Sequence, residues 1–171
     1  MMHTETTYYR SPIGILEIKS EQDKICSILF INSSKGTTID EDLISFEPSS
    51  SPIIRECTLQ LDQYFSGELK IFSLDTTQSG TVFQQEVWKE LMNIPFGKTI
   101  SYHELSKRLK NTKAIRAVGA ANGNNSIAII VPCHRVIGRN GDLVGYAGDL
   151  WRKQWLLEHE AKLENGVQML F

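Results

Sequence analysis

Cys133 and His134 stand side by side in the segment Val131-Pro132-Cys133-His134-Arg135-Val136-Ile137. A thiol next to an imidazole is a nucleophile next to a titratable base, and drawing the thiol toward thiolate is what makes it reactive. The apolar run Ile127 to Val131 ahead of the pair reads as a buried strand. Pro132 fixes the backbone where that strand should end and re-aims both side chains. Taken alone, adjacency leaves two readings open, a catalytic thiol and an inert buried cysteine.

A third group can be located by helical spacing. A helix from Asp149 or Leu150 to about Leu163 puts Leu156, Leu157 and Glu160 on one face, with Glu158 pointing away. A carboxylate on a buried face needs a partner, and His134 would serve. Cys133, His134 and Glu160 then form a nucleophile, a base and an orienting acid.

The rest of the chain must position these groups. Residues 7–10, 14–19 and 25–31 read as strands, with turns at Ser11-Pro12 and Glu21-Gln22-Asp23. Ile53 to Phe65, carrying Ile54, Leu59, Leu61, Tyr64 and Phe65, reads as an amphipathic helix ending before Gly67. The polar stretch Ser73 to Gly80 separates two domains, expected over 1–76 and 77–171. Beyond it, Thr81-Val82-Phe83-Gln84 is a capping box opening a helix with Phe83, Val87 and Leu91. Ser101-Tyr102-His103-Glu104 opens a second helix, and Thr112 is expected to cap a third from Lys113 to about Asn122. Two short helices and a tight turn have the look of a helix-turn-helix, or of any helical hairpin. Asn140-Gly141 between Val136-Ile137 and Leu143-Val144 predicts a type I′ hairpin. A flexible loop, Gly145-Tyr146-Ala147-Gly148, precedes the last helix.

Charge is segregated. Pro95 to Asn140 holds Lys98, Lys107, Arg108, Lys110, Lys113, Arg116, Arg135 and Arg139 against Glu104 alone, a net +7, so the rest of this −2 chain carries −9. Such concentration suggests an anionic partner. The third helix, with Ala114, Ala117, Gly119, Ala120 and Ala121, is nearly bare. It suits either close helix packing or close approach to DNA with Arg116 projecting. Three cysteines, Cys26, Cys57 and Cys133, with no C-x-x-C pair, point to a reducing cytoplasm and to no metal site. The polar start Met1-Met2-His3 is not a secretory signal, and no apolar run is long enough to span a bilayer.

Pro132-Cys133-His134-Arg135-Val136, with Asn125 eight residues before the cysteine, resembles the signature of the O6-alkylguanine-DNA alkyltransferases. Ile100-Ser101-Tyr102, Arg116-Ala117-Val118-Gly119, Gly145-Tyr146-Ala147-Gly148 and Trp155 to Glu160 resemble it too, densely over residues 80–162. Residues 1–79 are similar more diffusely, through Ser11-Pro12-Ile13-Gly14 and Leu61, Tyr64, Phe65 and Gly67.

The resemblance implies an α/β protein: a small amino-terminal domain of β-sheet and helix, ribonuclease H-like, then a mostly helical domain of winged-helix, helix-turn-helix type that binds DNA and accepts the alkyl group. It implies DNA repair by direct reversal, with irreversible, single-turnover transfer of an alkyl group from O6-alkylguanine, and from O4-alkylthymine, to Cys133. His134 would act as base through a water, Glu160 would orient it, and Tyr102 would help turn out the nucleotide and neutralise the departing guanine. Asn125 would brace the helix-turn-helix against the cysteine. Arg116 would fill the gap left by the flipped base, with Tyr102, Lys113, Ala114, Ala117 and Arg135 at the DNA. Backbone carbonyls of Val136 and Cys133 would receive the guanine amino group, and Tyr146, Ala147 and Gly148 would close over the base. Implied as well are a cytoplasmic monomer that acts on double-stranded DNA, without metal, cofactor or membrane. Asp149 departs from the pattern, standing where relatives continue with glycine. The competing readings are a cysteine hydrolase, for which no oxyanion loop is evident, and a helix-turn-helix or alkyltransferase-like regulator that binds without transfer.

Overall fold

The computed structural model describes residues 3–165, so Met1 and Met2 of the polar start lie outside the described residues. The chain divides into two units, one through Gln78 and one from Ser79. It is mixed α/β.

In the first unit, β1 (Thr4–Ser11), β2 (Gly14–Glu21) and β3 (Lys24–Phe30) form an antiparallel meander, with Ser11 opposite Gly14 and Glu21 opposite Lys24. Gln22 and Asp23 both have positive φ (50° and 61°), the geometry that lets a two-residue turn follow the strand twist. Ile15, Leu16, Ile18, Ile25, Ile28 and Phe30 are buried, and α1 (Pro52–Ser66) adds Ile54, Cys57, Leu61 and Tyr64. Leu59, expected on that stripe, is 49% exposed because it falls between Cys57 and Leu61 on the helix and faces out. Gly67 ends α1 at φ 87°, where its N–H reaches the carbonyls of Gln63 and Tyr64.

The second unit opens with α2 (Val82–Leu91). Its capping box is complete: Gln84 N donates to Thr81 Oγ1 at 3.1 Å and Thr81 N to Gln84 Oε1 at 3.0 Å. Val87, Trp88 and Leu91 face inward, and the Trp88 indole donates to Ala121 O at 2.8 Å. β4 (Ile100–Ser101) leads into α3 (Tyr102–Arg108), whose N-cap Ser101 accepts from Glu104 N. α4 (Ile115–Gly123) completes the helix-turn-helix. Thr112 is not its cap. Thr112 and Lys113 lie in a turn closed by Ala114 N on Asn111 O, and α4 starts from Ala114 with no side-chain cap.

Two further expectations fail in the same stretch. Ile127 to Val131 is buried but is not a strand. It winds through a turn in which Ile129 has φ 71°, with Val131 N on Ile127 O at 3.1 Å. Asn125 holds it, donating from Nδ2 to Ile127 O (3.2 Å) and Val131 O (2.8 Å) and accepting from Ile127 N (3.1 Å). A side chain that satisfies the turn's backbone groups removes the need for a neighbouring strand. Nor does the hairpin form a ladder. Asn140 and Gly141 do take positive φ (62° and 85°), and Gly138 N bonds Asp142 O. However, β5 (Val136–Ile137) pairs in parallel with β4, Ile100 opposite Val136 and Ser101 opposite Ile137. The carbonyl of Val144 is occupied instead by Tyr102 Oη and Lys153 Nζ, both at 3.0 Å. The last helix, α5 (Leu150–Asn165), buries Lys153, Leu156, Leu157, Glu160 and Ala161. No helix among the described residues is long and apolar enough to cross a membrane.

Candidate active site

Cys133 begins a single 3₁₀ turn, Cys133–Arg135, entered through Pro132 at φ −82° and ψ 63°. The cysteine is 4% exposed and His134 is fully buried. His134 Nε2 lies 2.5 Å from Glu160 Oε2. The other carboxylate oxygen accepts from Arg135 Nε at 2.6 Å and from the Gly97 amide at 3.4 Å. Arg135 Nη1 continues to Ile94 O at 2.7 Å, and the guanidinium lies over the Phe96 ring.

Burial alone would push the Glu160 carboxyl up. His134 and Arg135 outweigh burial and hold it down at about 2. Burial pushes the imidazole pKa down, against the pull of Glu160. At neutral pH the carboxylate is therefore charged and balanced by Arg135, and the imidazole is neutral. Its Nε2–H then donates to Glu160, so Nδ1 carries the free lone pair. Nδ1 is buried with no hydrogen-bond partner among the described residues, as are Tyr146 Oη and Asn122 Oδ1. A buried polar atom left unpaired is where a water or a substrate would be held. A neutral imidazole with an open lone pair beside a thiol can take its proton.

Asn122 donates to the Cys133 carbonyl at 3.4 Å. Burial raises the phenol pKa of Tyr102, Cys133 raises it further, and a hydrogen bond from Asn122 works the other way. Tyr146 is pushed well up by burial, then by Cys133 and Glu160. Both tyrosines thus sit within electrostatic reach of the thiol. Lys113, in the turn before α4, and Arg116 and Ala117, in its first turn, are exposed. A cavity of about 680 Å³ lies among Tyr102, His103, Ile115, Gly119, Val144 and Gly145. Val136 is buried at the head of β5, Ala147 is half-buried, and Gly148 is buried.

One expectation is overturned. Arg135 is 7% exposed and committed to Glu160 and Ile94, so it is not a DNA contact, and one of the eight cations counted above is unavailable to a phosphate. Two side chains were overlooked: Asn122, and Lys153, which shares the inward face of α5 with Glu160 and follows the same i, i+3, i+4, i+7 spacing.

Gly97 brings its amide to Glu160 with φ 75°, and a Cβ there would lie 2.7 Å from Glu164 Cβ. Gly97→Ala is expected to destabilise the fold by about 1–2 kcal/mol, through left-handed strain and that collision. Urea denaturation measures this, and an unchanged midpoint would refute it.

The fold and this site define a class: a helix-turn-helix protein built around a buried thiol with its own imidazole–carboxylate pair. Residues 82–162 match the family described as 6-O-methylguanine DNA methyltransferase, DNA binding domain, and residues 5–78 match its ribonuclease-like domain. The chain belongs to that family. It is 44% identical over 151 residues to the methylated-DNA–protein-cysteine methyltransferase of Methanosarcina mazei, covering 88% of this chain and 93% of that one. Among solved structures it is similar to the O6-methylguanine methyltransferase of Mycobacterium tuberculosis, with a TM-score of 0.81, 38% identity and coverage of 96% and 97%. It is equally similar (TM-score 0.81, 39% identity, coverage of 92% and 93%) to that organism's OGT in complex with DNA.

Proposed function

We propose that this protein repairs DNA by moving the alkyl group of O6-alkylguanine, and of O4-alkylthymine, onto Cys133. The observation that carries the reading is the buried Cys133–His134–Glu160 series with Nδ1 left open. The thiol proton passes through a water to His134 Nδ1, and Glu160 holds the ring in the tautomer that can receive it. The thiolate attacks the alkyl carbon, a carbon–sulfur bond forms, and the carbon–O6 bond breaks with its electron pair remaining on the guanine. Tyr102 helps neutralise that charge. A thioether is not hydrolysed under mild conditions, so each molecule acts once.

The lesion must leave the duplex to reach a buried sulfur, which costs a few kcal/mol of unstacking. Arg116 fills the gap, and Lys113, Ala114 and Ala117 let α4 approach the groove closely. Asn125 fixes the turn that carries the cysteine. The carbonyl of Val136 meets the guanine amino group, and Tyr146, Ala147 and Gly148 close over the base. The Cys133 carbonyl already receives Val136 N and Asn122, which leaves it the weaker acceptor. We place the protein in the cytoplasm as a monomer acting on double-stranded DNA. A regulator that binds without transfer is not favoured, because relatives at 43–55% identity carry the methyltransferase name.

Intact mass after incubation with duplex DNA bearing one O6-methylguanine tests this: one methyl per protein is expected, and none would overturn it. Arg116→Ala is expected to slow repair of duplex DNA well beyond the loss of one positive charge, and to slow single-strand repair much less, because less unstacking is needed there. An equal defect on both substrates would make Arg116 an ordinary phosphate contact.

A further inference from the structure

Lys153 is fully buried, on the stripe of α5 that also carries Leu156, Leu157 and Glu160. A buried ammonium is costly unless acceptors or an anion surround it. Its Nζ donates to the carbonyls of Val144 (3.0 Å) and Gly145 (3.2 Å) and lies 5.8 Å from the centre of the Tyr102 ring. No carboxylate among the described residues pairs with it.

The ionisable groups in its electrostatic neighbourhood are few. Glu160, two turns along α5, is committed to His134 and Arg135. His134, on the 3₁₀ turn, is made harder to protonate by Lys153. Tyr102, from α3, and Tyr146, from the loop, are held neutral by burial. That leaves Cys133. Burial pushes the Lys153 pKa down to about 8, and Cys133 is the group that opposes this shift.

A thiolate at Cys133 needs a nearby cation. The proton taken up by His134 moves away from the sulfur toward the Glu160 side of the ring system, and Arg135 is spent on Glu160, so neither is a permanent counter-charge for it. We infer that Lys153 is a positioning residue for the transfer: its ammonium pins the Val144–Gly145 segment beside Tyr102 and stabilises the thiolate that Cys133 becomes as His134 takes its proton. This deepens the reading of Cys133 as acceptor and rests on it. Tyr102 and Lys153 share one carbonyl, that of Val144, so the same peptide that fixes the phenol also fixes the counter-charge.

The test needs no DNA. Alkylation of Cys133 by iodoacetamide is followed against pH by peptide mapping in the parent, Lys153→Met and Lys153→Arg, with Cys26 as internal reference. Lys153→Met is expected to raise the midpoint for Cys133 by about one unit, slowing alkylation about tenfold at neutral pH. Lys153→Arg, which keeps the charge and the donors, is expected to recover most of that shift. A change by one factor at every pH, with the midpoint unmoved, would reduce Lys153 to a fastener of the loop and overturn the inference.

Should Lys153→Met fail to fold, the coupling is read from the other side, since linked ionisations act on each other equally. The Lys153 midpoint, followed by NMR of the labelled side chain, is expected to fall in Cys133→Ser, which cannot supply the anion. An unmoved midpoint there would equally overturn the inference. A parent that takes no methyl from DNA would instead overturn the acceptor reading, while the alkylation profiles decide the lysine independently.

Discussion

Cys133→Ser is expected to bind DNA with the parent's affinity and to transfer nothing. The cations exposed around α3 and α4 are untouched by the change, and phosphate attraction dominates affinity for DNA. Transfer is lost because no other thiol can substitute. Burial pushes the Cys57 thiol up to about 12, so its thiolate fraction at neutral pH is on the order of one in 10⁵. Cys26 is raised too, by burial first and by Glu21 next. The parent should therefore carry one methyl per molecule, located on Cys133 by peptide mapping. Repeated turnover, or methyl on Cys26 or Cys57, would sink the assignment.

Arg135→Met should be the most damaging single change that leaves the thiol in place. It strips the buried Glu160 carboxylate of the guanidinium at 2.6 Å, and breaking a buried pair from one side costs about 3–5 kcal/mol. Chemistry suffers as well. Arg135 helps keep His134 neutral, so its loss raises the imidazole pKa, and a protonated ring cannot act as base. The rate of transfer should then fall at neutral pH and recover as pH rises. Adding Glu160→Gln should restore part of the stability, because the orphaned charge is gone, but not the rate, because the amide orients the ring less strongly.

The sign of the acid dependence follows from Glu160. Its carboxyl is held below its ordinary value, so its stabilising contribution is present above about 4.5 and is lost as pH falls through about 2. Arg135→Met should shrink that interval. Chemical denaturation at several pH values measures both effects, and a loss under about 1 kcal/mol at neutral pH would show the pair to be dispensable.

Much of this site was legible because its signals are local. The capping box at Thr81 and the N-cap at Ser101, where Glu104 turns to Arg108 instead of closing the box, are set by residues three apart. The inward placement of Glu160 follows from helical spacing with Leu156 and Leu157, and an inward carboxylate demands a partner. What failed was decided by the partners that particular groups find in the fold. The apolar run Ile127 to Val131 announces burial but carries no record of its dihedrals, and the Asn125 side chain bends it into a turn. The Asn140-Gly141 turn forms as its residues require, yet the ladder is absent because Val136 pairs with Ile100 and the Val144 carbonyl is held by side chains. Arg135 was counted with the outward cations because nothing in a linear charge count marks which one faces a buried carboxylate. Lys153 was missed for a different reason. The spacing that flagged Glu160 applies equally to a lysine seven residues earlier.

The two-residue pairing of β4 with β5 also settles what can travel. Ser101 lies opposite Ile137 and caps α3, whose first residue is Tyr102, while Val136 follows the cysteine by three residues. The Trp88 indole fastens α2 to α4, and Asn122 of α4 reaches the Cys133 carbonyl. The helices α2 to α4 and the cysteine turn are thus tied to one another by backbone pairing and by side-chain hydrogen bonds. On the proposed function, a thiol buried and tied in this way stays where it is, so the nucleotide must leave the stack to reach it. The ease with which a base pair opens therefore becomes part of how the lesion is found.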